Sequence, residues 1–151
     1  MSINLKDKFI SNMDQSTHVF SWQVHENLTP EEAKAAADII ISTVQANSQT
    51  TKVKLLVDNR FMERNGRSVV FTPEVNSIWE NAQRTVFPHV SKIAVLCSGT
   101  LMKMQMDRIS RNSNIMEINK CFWNDNDQIM LEEAFEFLGI QNNQLVKPKQ
   151  D

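Results

Sequence analysis

Glycine is scarce in this chain: it occurs only at Gly66, Gly99 and Gly139. None of them begins a Gly-x-Gly-x-x-Gly or Walker pattern. Phosphate-cradling loops need such glycines so that backbone N–H groups can approach the anion. Nucleotide loops of those kinds are therefore excluded. Cysteine is scarcer still, at Cys97 and Cys121 alone. Two cysteines with no Cys-x-x-Cys spacing fit a reduced, cytoplasmic protein better than a disulfide scaffold. His18, His25 and His89 lie far apart in no ligand spacing, so no metal site is expected. No apolar run approaches the roughly 20 residues that a membrane span requires. The polar start, Met1 to Lys8, has no core of signal-peptide length. Basic blocks are absent as well, and the net charge is −2, which argues against nonspecific nucleic-acid binding. No cofactor is expected.

What is present suits one domain. The chain has 151 residues, 41% of them hydrophobic and 23% charged, enough for one sizeable core. Residues 1–140 are expected to form that domain, and 141–151 a polar, flexible tail.

Alternation of Val19, Ser21 and Gln23 with Phe20, Trp22 and Val24 has the period of a strand. Phe9 to Met13 alternates more weakly, and Asp14-Gln15-Ser16 can turn one strand into the other. An antiparallel hairpin is expected here. Thr29-Pro30-Glu31-Glu32 is a helix start: Thr29 caps, Pro30 suits the first helical position, and Glu32 completes a capping box. Ala33, Ala37, Ile40, Ile41 and Val44 then share a face. Val53 to Val57 lacks polar alternation and reads as a strand buried on both faces.

A second Thr-Pro-Glu start at 72–74 opens a helix whose inner face is Val75, Ile78, Trp79, Ala82 and Val86, with Pro88 as its stop. Ile93 to Cys97 is another buried strand. Ser98-Gly99-Thr100 leads into a third helix with Met102, Met106 and Ile109 on one face and Met104 pointing elsewhere. Ile115 to Phe122 reads as a strand. Asp125 or Asp127 caps the last helix, and Gly139 ends it. The order β-β-α-β-α-β-α-β-α implies an α/β fold with a mostly parallel sheet, right-handed crossovers and four helices.

Ligands and partners of open α/β sheets sit beyond the carboxyl ends of strands. The loop after Asp58 lies at such an end and carries Arg60, Phe61, Arg64 and Arg67, tempered by Glu63. It reads either as a solvated loop of mixed charge or as a recognition surface. Ser98 and Thr100, at the turn into the third helix, could meet an anion there; a plain turn with a cap is the simpler explanation. Met102 and Met106 read either as core or as a pliable groove for an apolar ligand or a partner helix. Cys97 and Cys121 stand near two strand ends and could be close in space. A reactive thiol needs a base or positive surroundings, and none is evident. No acid–base–nucleophile set can be assembled, so a non-enzymatic module is expected. Its partner surface would comprise Asp58, Arg60, Phe61, Arg64, Arg67, Ser98, Thr100, Met102 and Met106.

Several segments together carry a resemblance. They are Leu28-Thr29-Pro30-Glu31-Glu32-Ala33 after a strand, Lys54-Leu55-Leu56-Val57-Asp58, a helix with Trp79, Lys92-Ile93-Ala94-Val95, Cys121-Phe122, and Leu131 to Leu138. From Val19 to Ile140 the chain resembles the SpoIIAA-like proteins of the STAS-like superfamily. That resemblance implies a small α/β domain with helices packed largely on one side of the sheet. It implies a regulatory protein partner as well, since STAS anti-sigma-factor antagonists bind kinases and are switched by phosphorylation of a serine at a helix start. The Asp-Ser-Ser-Gly type element of those antagonists is missing here; Ser68 and Thr72 stand near its place and are the positional candidates for phosphorylation. Related domains resemble CRAL-TRIO lipid-binding domains, which makes a carrier or sensor of a small hydrophobic, lipid-like molecule the alternative.

Overall fold

Asp14 sets the first turn. Its Oδ1 accepts from the backbone N–H of Ser16 at 2.9 Å and from the Ser16 hydroxyl at 2.7 Å, an Asx turn. His18 completes it with a left-handed φ of 60°. Strands β1 (Phe9–Asp14) and β2 (Val19–Val24) leave this turn as an antiparallel pair. The computed structural model describes residue 5 and residues 8–25, 28–64, 67–68, 72–112 and 118–148, with backbone alone at 63–64 and 67–68.

Helix α1 (Pro30–Asn47) begins with the full capping box, Thr29 and Glu32 each bonding the other's backbone N–H. Strand β3 (Val53–Asp58) follows. A two-residue pair that the sequence did not suggest, β4 (Glu63–Arg64) with β5 (Arg67–Ser68), comes next. Helix α2 (Pro73–Val86) is capped by Thr72 and stops at a short 3₁₀ turn through Pro88. Then come β6 (Val90–Leu96), α3 (Thr100–Asn112), β7 (Asn119–Phe122) and α4 (Asp127–Leu138). The cap of α4 is Asn126, not Asp125 or Asp127; its side chain accepts from the N–H of Ile129. Asp127 is the first helical residue instead. Gly139 closes α4 at φ 75°, a left-handed conformation that suits glycine. Of the strand expected from Ile115, residues 115–117 lie outside the described residues.

The five-stranded sheet runs β1-β2-β3-β6-β7, with β2, β3, β6 and β7 parallel. This is the mostly parallel α/β sheet with an N-terminal hairpin and four helices that the sequence implies. Because each crossover steps the same way along the sheet, one handedness of crossover puts α1, α2 and α3 on one face. There Ala36, Ile40, Val75, Val86, Met102 and Ile109 pack on Trp22, Leu55, Val57, Ile93 and Val95.

The opposite face is left to α4 and the residues after it. Met130, Leu131, Ala134 and Leu138 cover Leu56, Ala94, Leu96 and Phe122, with Val146 in the same cluster. Two strand lysines reach the end of α4: Lys54 Nζ donates to the Leu138 carbonyl at 2.6 Å and Lys92 Nζ to that of Phe137 at 2.9 Å. Cations there complement the helix dipole.

The flexible polar tail expected at 141–151 is not what residues 141–148 form. Val146 is 0% exposed and Asn143 is buried. Asn143 Oδ1 accepts from the N–H groups of Leu145 and Val146 and from the Ser21 hydroxyl. The reason is topological. With three helices on one face, β2 and β3 would otherwise expose Ser21, Gln23 and Leu56, and this segment covers them.

Candidate functional site

Beyond the carboxyl ends of β3 and β6 the chain builds a buried ionic cluster. Asp58, the last residue of β3, and Arg60 are both sequestered, Arg60 to 1% exposure. The guanidinium grips Asp58 at two points, Nε to Oδ1 and Nη2 to Oδ2, each at 2.8 Å. This fork geometry is the strong form of the pair. Nη1 donates to Asp127 Oδ2 at 2.7 Å and Nη2 to the Lys147 carbonyl at 2.9 Å. Gln23 Nε2 donates to Asp58 Oδ2 at 2.9 Å, and the His25 ring meets Gln23 Oε1 at 3.2 Å. Burial alone would lower the Arg60 pKa. Hydrogen bonds and charge attraction, to Asp58 first and Asp127 second, outweigh that and raise it above the ordinary value.

Arg60 thus joins three separate parts of the fold: the end of β3, the first turn of α4 and the C-terminal segment. The expected exposed arginine of a recognition loop is a buried clamp instead, because two carboxylates and a carbonyl converge on it. Phe61 is half-buried and stacks on His25, ring centroids 4.6 Å apart, while the Arg60 guanidinium lies 5.3 Å from its centroid. Met62, which the sequence did not single out, is fully buried, and its carbonyl accepts from the Ser98 hydroxyl at 3.3 Å. The side chains of Arg64, Arg67 and Ser68 lie outside the described residues.

The remaining expected residues separate into two groups. Met102 and Met106 are core, packed inside the three-helix face. Thr100 is exposed at the start of α3, and Ser98 is half-buried. Thr72 is exposed, and its hydroxyl accepts from the Val75 N–H at 3.3 Å. Beneath α2, Trp22, Leu55, Val57, Trp79 and Met106 border a cavity of about 30 Å³, room on the order of a single water.

Cys97 and Cys121 are both free and buried, and they do meet. The contact with Cys97, then burial, then the Asp107 carboxylate push the Cys121 thiol far up. A thiol so held stays protonated and is a poor nucleophile. Among the described residues no three His, Cys, Asp or Glu side chains are grouped to hold a metal, and no helix is long and apolar enough to cross a membrane.

The outer face of α3 contrasts with the clamp. Leu101 is 48% and Met104 64% exposed, three residues apart. Arg108 and Arg111 continue that stripe and are exposed too. The periodicity was readable, since 101, 104, 108 and 111 complement the buried 102, 106 and 109.

Scans against protein-family models, curated proteins and solved structures find no match.

Proposed function

We propose that the chain is a non-enzymatic, cytoplasmic binding module that takes a regulatory protein partner on the outer face of α3 and the adjoining turn at Ser98. One observation carries this reading: the exposed pair Leu101 and Met104, followed on the same helix face by Arg108 and Arg111. A single exposed apolar side chain is ordinary. Two that are adjacent and continuous with two arginines match the make-up of protein interfaces, where methionine and arginine are enriched. Such a stripe fits a partner segment that is apolar and then acidic.

Other features support the same reading. Asp58, Arg60 and Asp127 beyond β3 are engaged with one another, and the contacts of the Cys121 thiol hold it protonated. The STAS-like resemblance points to protein partners. Thr72 offers an exposed hydroxyl at the start of α2, where a phosphate would meet the positive helix end. A carrier of a lipid-like molecule is favoured less, because the apolar cavity beneath α2 is of water size, whereas ligand pockets run to roughly 300–1,000 Å³, and the larger groove between α1 and α2 is rimmed by charged side chains.

A photo-crosslinker at position 104, compared with one at the exposed Gln45 of α1, tests the surface. Position 104 should give a discrete protein adduct that disappears in Arg108→Glu/Arg111→Glu. Equal adducts from both positions would refute the surface. A native mass spectrum that retains a bound lipid would favour the carrier.

A further inference from the structure

A groove of about 540 Å³ opens between α1 and α2 on the same side of the sheet as α3. Its floor includes Ile41 and Ile78, and its rims carry Glu31, Asp38 and Glu74 against a single Lys34. Groove and α3 stripe are therefore opposites: an apolar floor with a negative rim, and an apolar pair with a positive continuation.

We propose that the partner of the α3 face is a second copy of this chain, with α3 of each molecule lying in the α1–α2 groove of the other. The proposal rests on the reading of α3 as a docking surface and names its occupant. The sheet order places α2 between α1 and α3, and α2 packs against both. A twofold axis lying along the helix layer between α2 and α3 exchanges left and right. It brings α3 over the groove of the other copy, and both contacts form at once, the isologous arrangement of closed dimers.

Under this axis the docked α3 runs parallel to α1. Asp38 stands eight residues beyond the start of α1 at Pro30, and Arg108 eight beyond the start of α3 at Thr100. Both are thus about 12 Å along helices that each start beyond the carboxyl end of a strand, which lets cation and carboxylate approach one another. The net charge of −2 sets little long-range repulsion against self-association. A dimer of this form covers the α3 face, so a different protein would have to displace the second copy.

Sedimentation velocity on the full chain, over a dilution series from roughly millimolar to micromolar, tests this by charge exchange. The wild type should dimerise, more weakly at high salt. Arg108→Glu/Arg111→Glu and Asp38→Lys/Glu74→Lys should each weaken the dimer at least about tenfold. An equimolar mixture of the two variants should restore it, because each groove then faces an α3 of opposite charge. Recovery in the mixture also shows that both variants are folded. A monomer throughout, or a dimer indifferent to both pairs, overturns the proposal. A monomer that still crosslinks another protein from position 104 overturns the dimer and leaves the docking face standing.

Discussion

Arg60 and Arg108 are alike in charge and length, and the regions around them are opposite in physics. At the carboxyl end of the sheet, Arg60 lies among Asp58, Asp127 and the Lys147 carbonyl, almost wholly out of water. On α3, Arg108 and Arg111 stand in solvent beside Leu101 and Met104. The first region has its hydrogen-bonding capacity directed inward, holding the end of β3 to α4 and to the C-terminal segment. The second directs its side chains outward. Beyond the strand ends, the usual place for a site in such sheets, this fold holds a cohesive ionic cluster, and the proposed recognition surface is a helix face instead.

The largest effect that would break this contrast is loss of the clamp. Arg60→Met should destabilise the fold by about 3–5 kcal/mol, because it leaves Asp58 buried without its cation. In a domain of this size each kcal/mol lowers Tm by roughly 2–4 °C, so a fall on the order of 10 °C is expected in a thermal melt. A loss under about 1 kcal/mol would mean that the cluster opens to water and does not hold the fold together. The two acids should differ. Asp127 is 23% exposed in the side chain and Asp58 0%. Asp127→Asn should therefore cost only about 1 kcal/mol, while Asp58→Asn approaches the Arg60 effect.

The covering segment supplies the next effect. Val146→Ala removes two buried methyl groups from the cluster on the α4 face. At about 0.8 kcal/mol per group, with a cavity contribution, the cost is about 1–3 kcal/mol. Urea denaturation should show it as a lower midpoint with an unchanged slope. An unaffected midpoint would mean that residues 141–148 do not cover the sheet in solution.

These two regions also show what the sequence makes legible. Helix starts were readable because their signals are local: Thr29 and Glu32 are three residues apart, as are Thr72 and Val75. Strand periods were readable from Phe20-Trp22-Val24 for the same reason. The burial of Arg60 was not readable, because its partners Asp127 and Lys147 lie 67 and 87 residues further on. Only the packing of α4 and the segment after it on the far face of the sheet brings them together. The C-terminal segment misled in a related way. Its average polarity is high, and the two residues that bury, Asn143 and Val146, need an uncovered sheet face to do so. On α3 the pattern is present in the sequence: 102, 106 and 109 mark the inner face, and 101, 104, 108 and 111 therefore mark the outer one.

The smallest effect sharpens the comparison most. Leu101→Ser together with Met104→Ser replaces side chains that are already about half or more in water. Little apolar burial is lost, and surface changes away from special features stay within about 0.5 kcal/mol. Serine is a weaker helix former than leucine or methionine by only a few tenths of a kcal/mol. Thermal and urea transitions should therefore nearly coincide with the wild type. Association through α3 should nonetheless weaken, because it is on docking that these two side chains leave water. Stability held with association lost is the signature of an outward-facing site, and Arg60→Met should give its converse at the clamp. If instead the double serine variant unfolds like the Arg60 variant, α3 packs more deeply than its exposure implies, and the division between cohesive and recognising regions falls.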